Sequence, residues 1–351
     1  MRGSVRLSLP LALALLCLGP GERIAQGKPQ SAEPVQGRWL ADFRPDGRIE
    51  LTLRCRSSSS GDNWTSSDDF TTGDFEGLRR PASATEAPAS FRMVRDAGTI
   101  SFEGQLNDSG GSGRFAFQAN AEYLAAIAKM GYPTPTPSEA FSLAVHDVSR
   151  GYMRELASLG YEQVDLDELV SMRIHGASPQ FIRDLKALGY THLTPDDLVS
   201  MRIHGATPEF IRSMQAIGFK DLSTDELVSM RIHGVTPEFI GEMKGLVGGP
   251  LGADELVSLR IHGATPEFVH EMESLGYRAL SADEVVTMRI HGVTPDFVRE
   301  IQALGYKDVP ADDLVNMKIH DVSVDYVKRM KSRRKDVSID EIVDMKIHGG
   351  E

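Results

Sequence analysis

His204-Gly205-Ala206-Thr207-Pro208-Glu209-Phe210 recurs along this chain with few changes. It returns as His-Gly-Val-Thr-Pro-Glu-Phe at 233–239, His-Gly-Ala-Thr-Pro-Glu-Phe at 262–268 and His-Gly-Val-Thr-Pro-Asp-Phe at 291–297, and an earlier copy is His-Gly-Ala-Ser-Pro-Gln-Phe at 175–181. The same histidine position is held by His146, His175, His204, His233, His262, His291, His320 and His348, at steps of 29 residues with a last step of 28. A fixed period of this length means a stacked array, because one such unit cannot bury its apolar face alone.

The unit from Thr207 to Gly234 contains two helix signals. Thr207 is an N-cap, Pro208 suits the first helical position, and Glu209 suits the helix dipole. Phe210, Ile211, Met214 and Ile217 then follow at helical spacing, and Gly218-Phe219 closes the helix. Ser223-Thr224-Asp225-Glu226 is a capping box, and the second helix runs through Leu227, Val228, Met230 and Ile232 to His233-Gly234-Val235. Helices of about ten residues are marginal alone, so pairs must stack to hold each other. Starting near Gln118, the aromatic position (Tyr123, Tyr152, Phe181, Phe210, Phe239, Phe268, Phe297, Tyr326) counts eight units. The fifth departs from the pattern: Gly245-Leu246-Val247-Gly248-Gly249-Pro250 replaces the usual closure, which predicts a weakened helix and a flexible joint. The first unit has Ala144 where the others have Arg or Lys.

Ahead of the array the period changes to two. Trp39–Arg44 and Arg48–Arg54 flank the turn Pro45-Asp46-Gly47, Ser90–Arg95 and Thr99–Gly104 flank Asp96-Ala97-Gly98, and Arg114–Phe117 follows a Gly-rich turn. The polar segment Ser57–Thr72 reads as a loop. The fold class is therefore α+β and multidomain: a small antiparallel β domain over 37–117, then an α-solenoid of eight two-helix repeats over 118–348. Residues 28–36 have linker composition. Residues 1–27 read as a secretory signal, with Arg2 and Arg6 before the apolar run Leu7–Leu18 and small residues at Ala25-Gln26-Gly27. Leu16 stands where a lipid-attachment signal at Cys17 needs a small residue. Without the signal one cysteine remains, Cys55, so no internal disulfide forms. The expected localisation is secreted or periplasmic, with no stable membrane insertion of the mature chain.

Residues 1–117 carry 14 acidic and 14 basic side chains, and the rest carries 36 acidic against 24 basic, so the whole net charge of −12 lies in the repeats. That balance excludes a nucleic-acid surface, which needs a positive footprint. The basic run Lys328–Lys335 reads as a solvated end. No histidine precedes His146, so the β domain cannot build a Ser-His or Cys-His pair. No catalytic residue and no cofactor are expected.

Two ladders remain as site candidates. The basic row Arg173, Arg202, Arg231, Arg260, Arg289 and Lys318 could receive a partner's carboxylates, or serve inter-repeat pairing and capping with the acidic pairs that open each second helix. The histidine row, His204, His233 and His262 at its centre, is the metal alternative. Packed helices lie about 8–10 Å apart, too far for one imidazole per rung to share a zinc held at about 2.0 Å. The histidines read instead as helix C-terminal caps.

The unit Asp-Glu-Leu-Val-Ser-Met-Arg-Ile-His-Gly-Val-Thr-Pro-Glu-Phe-Ile at 225–240 resembles short helical repeats of exported bacterial proteins, some joined to membrane metallopeptidases of the β-lactam-sensor type. Residues 94–104 and 113–117 resemble the β segment that accompanies them. The resemblance implies a bacterial envelope setting and a sensing role, including that of an accessory to a metallopeptidase-linked sensor. The peptidase's zinc motif is absent: His270-Glu271 is followed by Ser at 274. No catalysis carries over. The reading is an exported, non-enzymatic scaffold for a protein or peptide partner.

Overall fold

The computed structural model describes residues 35–56 and 63–349. The signal segment, Cys17, most of the 28–36 linker and the start of the Ser57–Thr72 loop lie outside them. Six strands come first: β1 (Gln36–Phe43), β2 (Ile49–Arg56), β3 (Asn63–Phe70), β4 (Ala87–Arg95), β5 (Gly98–Leu106) and β6 (Gly110–Ala119). They form one antiparallel sheet in the order β3-β2-β1-β6-β5-β4. β3 corrects the loop expected at Ser57–Thr72. Its Ser and Asp residues lack strand propensity, and pairing with the strongly patterned β2 overrides that deficit.

The sheet is curled. Trp39 on β1 meets Phe91 on β4 with ring centres 5.3 Å apart, although three strand steps of about 4.8 Å would separate these strands in a flat sheet. Glycine permits the approach. A Cβ on Gly104 would lie 2.8 Å from the Trp39 ring, and one on Gly113 would lie 2.7 Å from its Nε1. That Nε1 donates to the Glu103 carbonyl at 3.2 Å, which satisfies the indole inside an apolar core. Phe75 closes the gap between the two outer strands, against Phe70 at 5.7 Å and Phe91 at 5.6 Å.

Sixteen helices follow among the described residues. The first four are α1 (Ala121–Lys129), α2 (Pro137–Val145), α3 (Arg150–Ser158) and α4 (Leu166–Ile174), and the pattern continues to α15 (Val324–Arg333) and α16 (Ile339–His348). Odd helices pack on odd and even on even, so the array has two layers. None of the described helices is long and apolar enough to cross a membrane.

The punctuation read from the sequence forms the joints. Thr207 Oγ1 accepts from Phe210 N–H at 3.3 Å. In the capping box, Glu226 Oε2 accepts from Ser223 N–H at 2.7 Å and Ser223 Oγ accepts from Glu226 N–H at 3.2 Å. Gly234 turns the chain at φ 67°, and where the first unit has Asp147 the same turn is made at φ 52°. Tyrosines after the odd helices tie neighbouring units: Tyr161 Oη donates to the Leu193 carbonyl and Tyr190 Oη to that of Leu222, both at 2.8 Å. The irregular fifth unit has another tie. Its first helix (Pro237–Leu246) has ten residues rather than fewer, and Gly248 N–H donates to the Leu280 carbonyl at 2.8 Å.

Candidate functional site

The basic row lies between units. Arg173 stands over Tyr152 at 5.0 Å, Arg202 over Phe181 at 5.1 Å, Arg231 over Phe210 at 5.0 Å, Arg260 over Phe239 at 4.3 Å and Arg289 over Phe268 at 5.0 Å. Lys318 does the same over Phe297 at 4.7 Å. Each aromatic belongs to the first helix of the same unit. Three of these guanidinium groups reach back to the joint before them: Arg173 Nε donates to the His146 carbonyl at 3.1 Å, Arg202 Nε to that of His175 at 3.2 Å and Arg260 Nε to that of Gly234 at 2.8 Å. These side chains satisfy helix-end carbonyls that would otherwise lack partners. Of the row, Arg173 is ion-paired, to Asp147 at 2.7 Å. The other ion pairs between units among the described residues lie on the odd helices, as with Arg299 and Glu271 at 2.7 Å.

The imidazoles of His175, His204, His233, His262, His291 and His348 are exposed. Among the described residues no group of three or more His, Cys, Asp or Glu converges as a metal ion would require.

A third row went unrecognised in the sequence. Ile174, Ile203, Ile232, Ile261, Ile290, Ile319 and Ile347 are each between 47 and 54 % exposed. Helical geometry explains why. At about 100° per residue, Ile232 lies about 160° round the helix from the buried Met230. Ile232 therefore shares the outer face with Val228, Ser229 and, two turns earlier, Asp225. Stacking lines these positions up across the even helices. The result is an isoleucine row at one end of the face and an aspartate row at the other: Asp167, Asp196, Asp225, Asp254, Asp283, Asp312 and Asp340, all exposed. Two positions 200° apart cannot share a core face, and that arithmetic was the available signal.

Neither a protein-family model nor a curated protein matches the chain.

The first rung of this face is already covered by the chain itself. Counting back 29 residues, Val170, Arg173 and Ile174 correspond to Phe141, Ala144 and Val145 of α2. All three are buried. Phe141 stacks on Phe115 of β6 with ring centres 5.2 Å apart and planes at 6°, and touches Phe117 at 5.4 Å. An Arg at 144 would put a charge into this contact, so Ala stands there. A polar clamp holds the same junction. Asp96, in the β4–β5 turn, accepts from Arg150 N–H at 2.8 Å and from the Arg150 guanidinium at 2.5 and 2.9 Å. The Arg150 side chain, then its backbone N–H, holds the Asp96 carboxyl below the usual carboxylate range.

Beside this junction lies a cleft of about 380 Å³ lined by Asp68, Asp69, Asp74, Arg95, His146 and Arg173, among others. Arg95 is paired with Asp74 at 2.7 Å. Burial, opposed by Asp68 and aided by Arg173, pushes the His146 imidazole below its usual range, so it is neutral at pH 7. Among the described residues the lining holds no Ser, Thr or Cys that such a base could activate.

Proposed function

We propose that this protein is an exported, non-enzymatic scaffold that binds a protein or peptide along the outer face of its even helices. The isoleucine row carries the reading. Exposed isoleucines scattered singly need no explanation, but seven at equivalent positions of successive units form an apolar row of the kind that marks interaction surfaces. Arg173, Arg202 and Arg260 of the basic row, engaged in the joints, lend rigidity to that face.

Magnitudes bound what the ridge can do. Covering the exposed half of an isoleucine contributes about 1 kcal/mol, so the full row contributes roughly 7 kcal/mol. Association costs about 4–15 kcal/mol. Apolar contact alone thus gives weak binding, and a stable complex needs the polar groups beside the ridge.

A photo-crosslinking amino acid placed at Ile203, Ile232 or Ile261 of the full chain, expressed in an envelope-bearing host, tests the reading. Discrete crosslinks from these positions, with none from Arg212 or Glu242 on the odd helices, are expected. Equal labelling from both layers, or none from either, overturns it.

A further inference from the structure

The aspartate row says what kind of partner the face suits. Each Asp lies seven residues before its isoleucine, which places it on the same face and about 10.5 Å away along the helix. Among the described residues none of these seven carboxylates is in an ion pair, whereas arginines elsewhere in the array find acidic partners. Val228 and Ser229, half-buried like their equivalents from the second to the fifth unit, form the strip between the two rows; in the last three units the valine is buried and Thr287, Asn316 and Asp344 take the serine position. A ligand lying along the array thus meets an apolar edge on one side and a line of unneutralised negative charge on the other.

The spacing narrows the choice further. Stacked helices place successive rungs about 8–10 Å apart. A polypeptide in the polyproline II conformation advances about 9.3 Å per three-residue turn and points successive side chains in three directions. Its backbone over the Val–Ser strip sends one residue in three to the isoleucines and the next to the aspartates. Nucleic acid and anionic membrane surfaces are repelled by the carboxylates, and a second copy of the chain brings the same net negative charge. The Phe115–Phe117 patch, seated on the first rung, shows that this face takes flat apolar cover.

We infer that the even-helix face holds an extended, cationic polypeptide laid along the array, with an apolar residue at every third position against the isoleucine row and Lys or Arg beside it against the aspartate row. This rests on the binding face proposed above and adds the chemistry of its occupant.

The test uses the full chain and fluorescein-labelled peptides of seven triplets, read by fluorescence anisotropy. Leu-Lys-Pro triplets should bind saturably at one peptide per chain, weakening as salt rises. Leu-Glu-Pro and Gly-Lys-Pro triplets should each bind at least about tenfold more weakly. The combined Ile203→Ser, Ile232→Ser, Ile261→Ser variant and the combined Asp196→Asn, Asp225→Asn, Asp254→Asn variant should each lose about tenfold or more. Circular dichroism checks that both keep their helices. Loss with the isoleucine variant but not the aspartate variant, or equal binding of Leu-Glu-Pro triplets, overturns the cationic partner and leaves the face standing. Unchanged binding by the isoleucine variant overturns the face itself. An isoleucine-dependent dimer in light scattering, or isoleucine-dependent binding to phosphatidylglycerol vesicles, also overturns the inference.

Discussion

Arg260 lies 4.3 Å above the ring of Phe239 while its Nε donates at 2.8 Å to the carbonyl of Gly234, one unit earlier. One side chain thus covers its own unit's aromatic and completes the preceding unit's turn. Arg260→Met keeps the apolar stem and removes both polar contacts, and it should destabilise the array by about 1–3 kcal/mol. Arg260→Lys should cost less, because Lys318 occupies the equivalent place over Phe297. Urea titration followed by far-UV circular dichroism measures both.

Asp96 makes the junction between sheet and array pH-dependent. Its folded-state acidity lies below the unfolded value because Arg150 holds it ionised. A carboxylate so depressed contributes stability above its unfolded value, near pH 4, and that contribution is lost as pH falls through the folded value. The sheet's urea midpoint should therefore fall on acidification below about pH 4. Asp96→Asn should lower the midpoint at neutral pH and flatten that acid limb. Both tryptophans precede the array, and Trp39, buried in the core of the sheet, makes fluorescence a report on the sheet.

Gly113 cannot accept a side chain. Its Cβ would stand 2.0 Å from the Glu103 carbonyl oxygen and 2.7 Å from Trp39 Nε1. Gly113→Ala should cost about 2 kcal/mol or more, through the displaced indole and the strained pairing of β5 with β6. A red-shifted tryptophan spectrum with the array's helicity unchanged is the expected signature.

Much of this architecture was legible in the sequence because local rules and tertiary packing agree. Thr207-Pro208 and Ser223–Glu226 cap helices in isolation and in the fold alike. What escaped was decided by neighbours. Asn63–Phe70 is a strand because β2 offers it an edge, not because Ser and Asp favour one. Ala144 was visible as a departure, yet its cause, the aromatic patch of β6 above it, lies in another domain. Ile232 stands in the apolar series of its helix, yet its angle from Met230 turns it outward.

The fifth unit tests the same distinction. Its glycines predict a loose joint, whereas Gly248 pairs with Leu280 of the next unit. A Cβ on Gly248 would lie 2.4 Å from the Ala279 carbonyl oxygen. Gly248→Val should break that bridge and cost about 1–3 kcal/mol. Amide exchange around 246–250 should be slow in the parent chain and accelerate in the variant, while the second unit stays unchanged.

The sheet's seat on Phe141 and Val145 gives the isoleucine row a fixed zero. Every unit after it adds one rung of the same kind, so gain or loss of 29 residues changes the row's length in whole steps and leaves its chemistry alone. The protein is in this sense a ruler. Unit duplication can lengthen or shorten the row without redesigning a single contact.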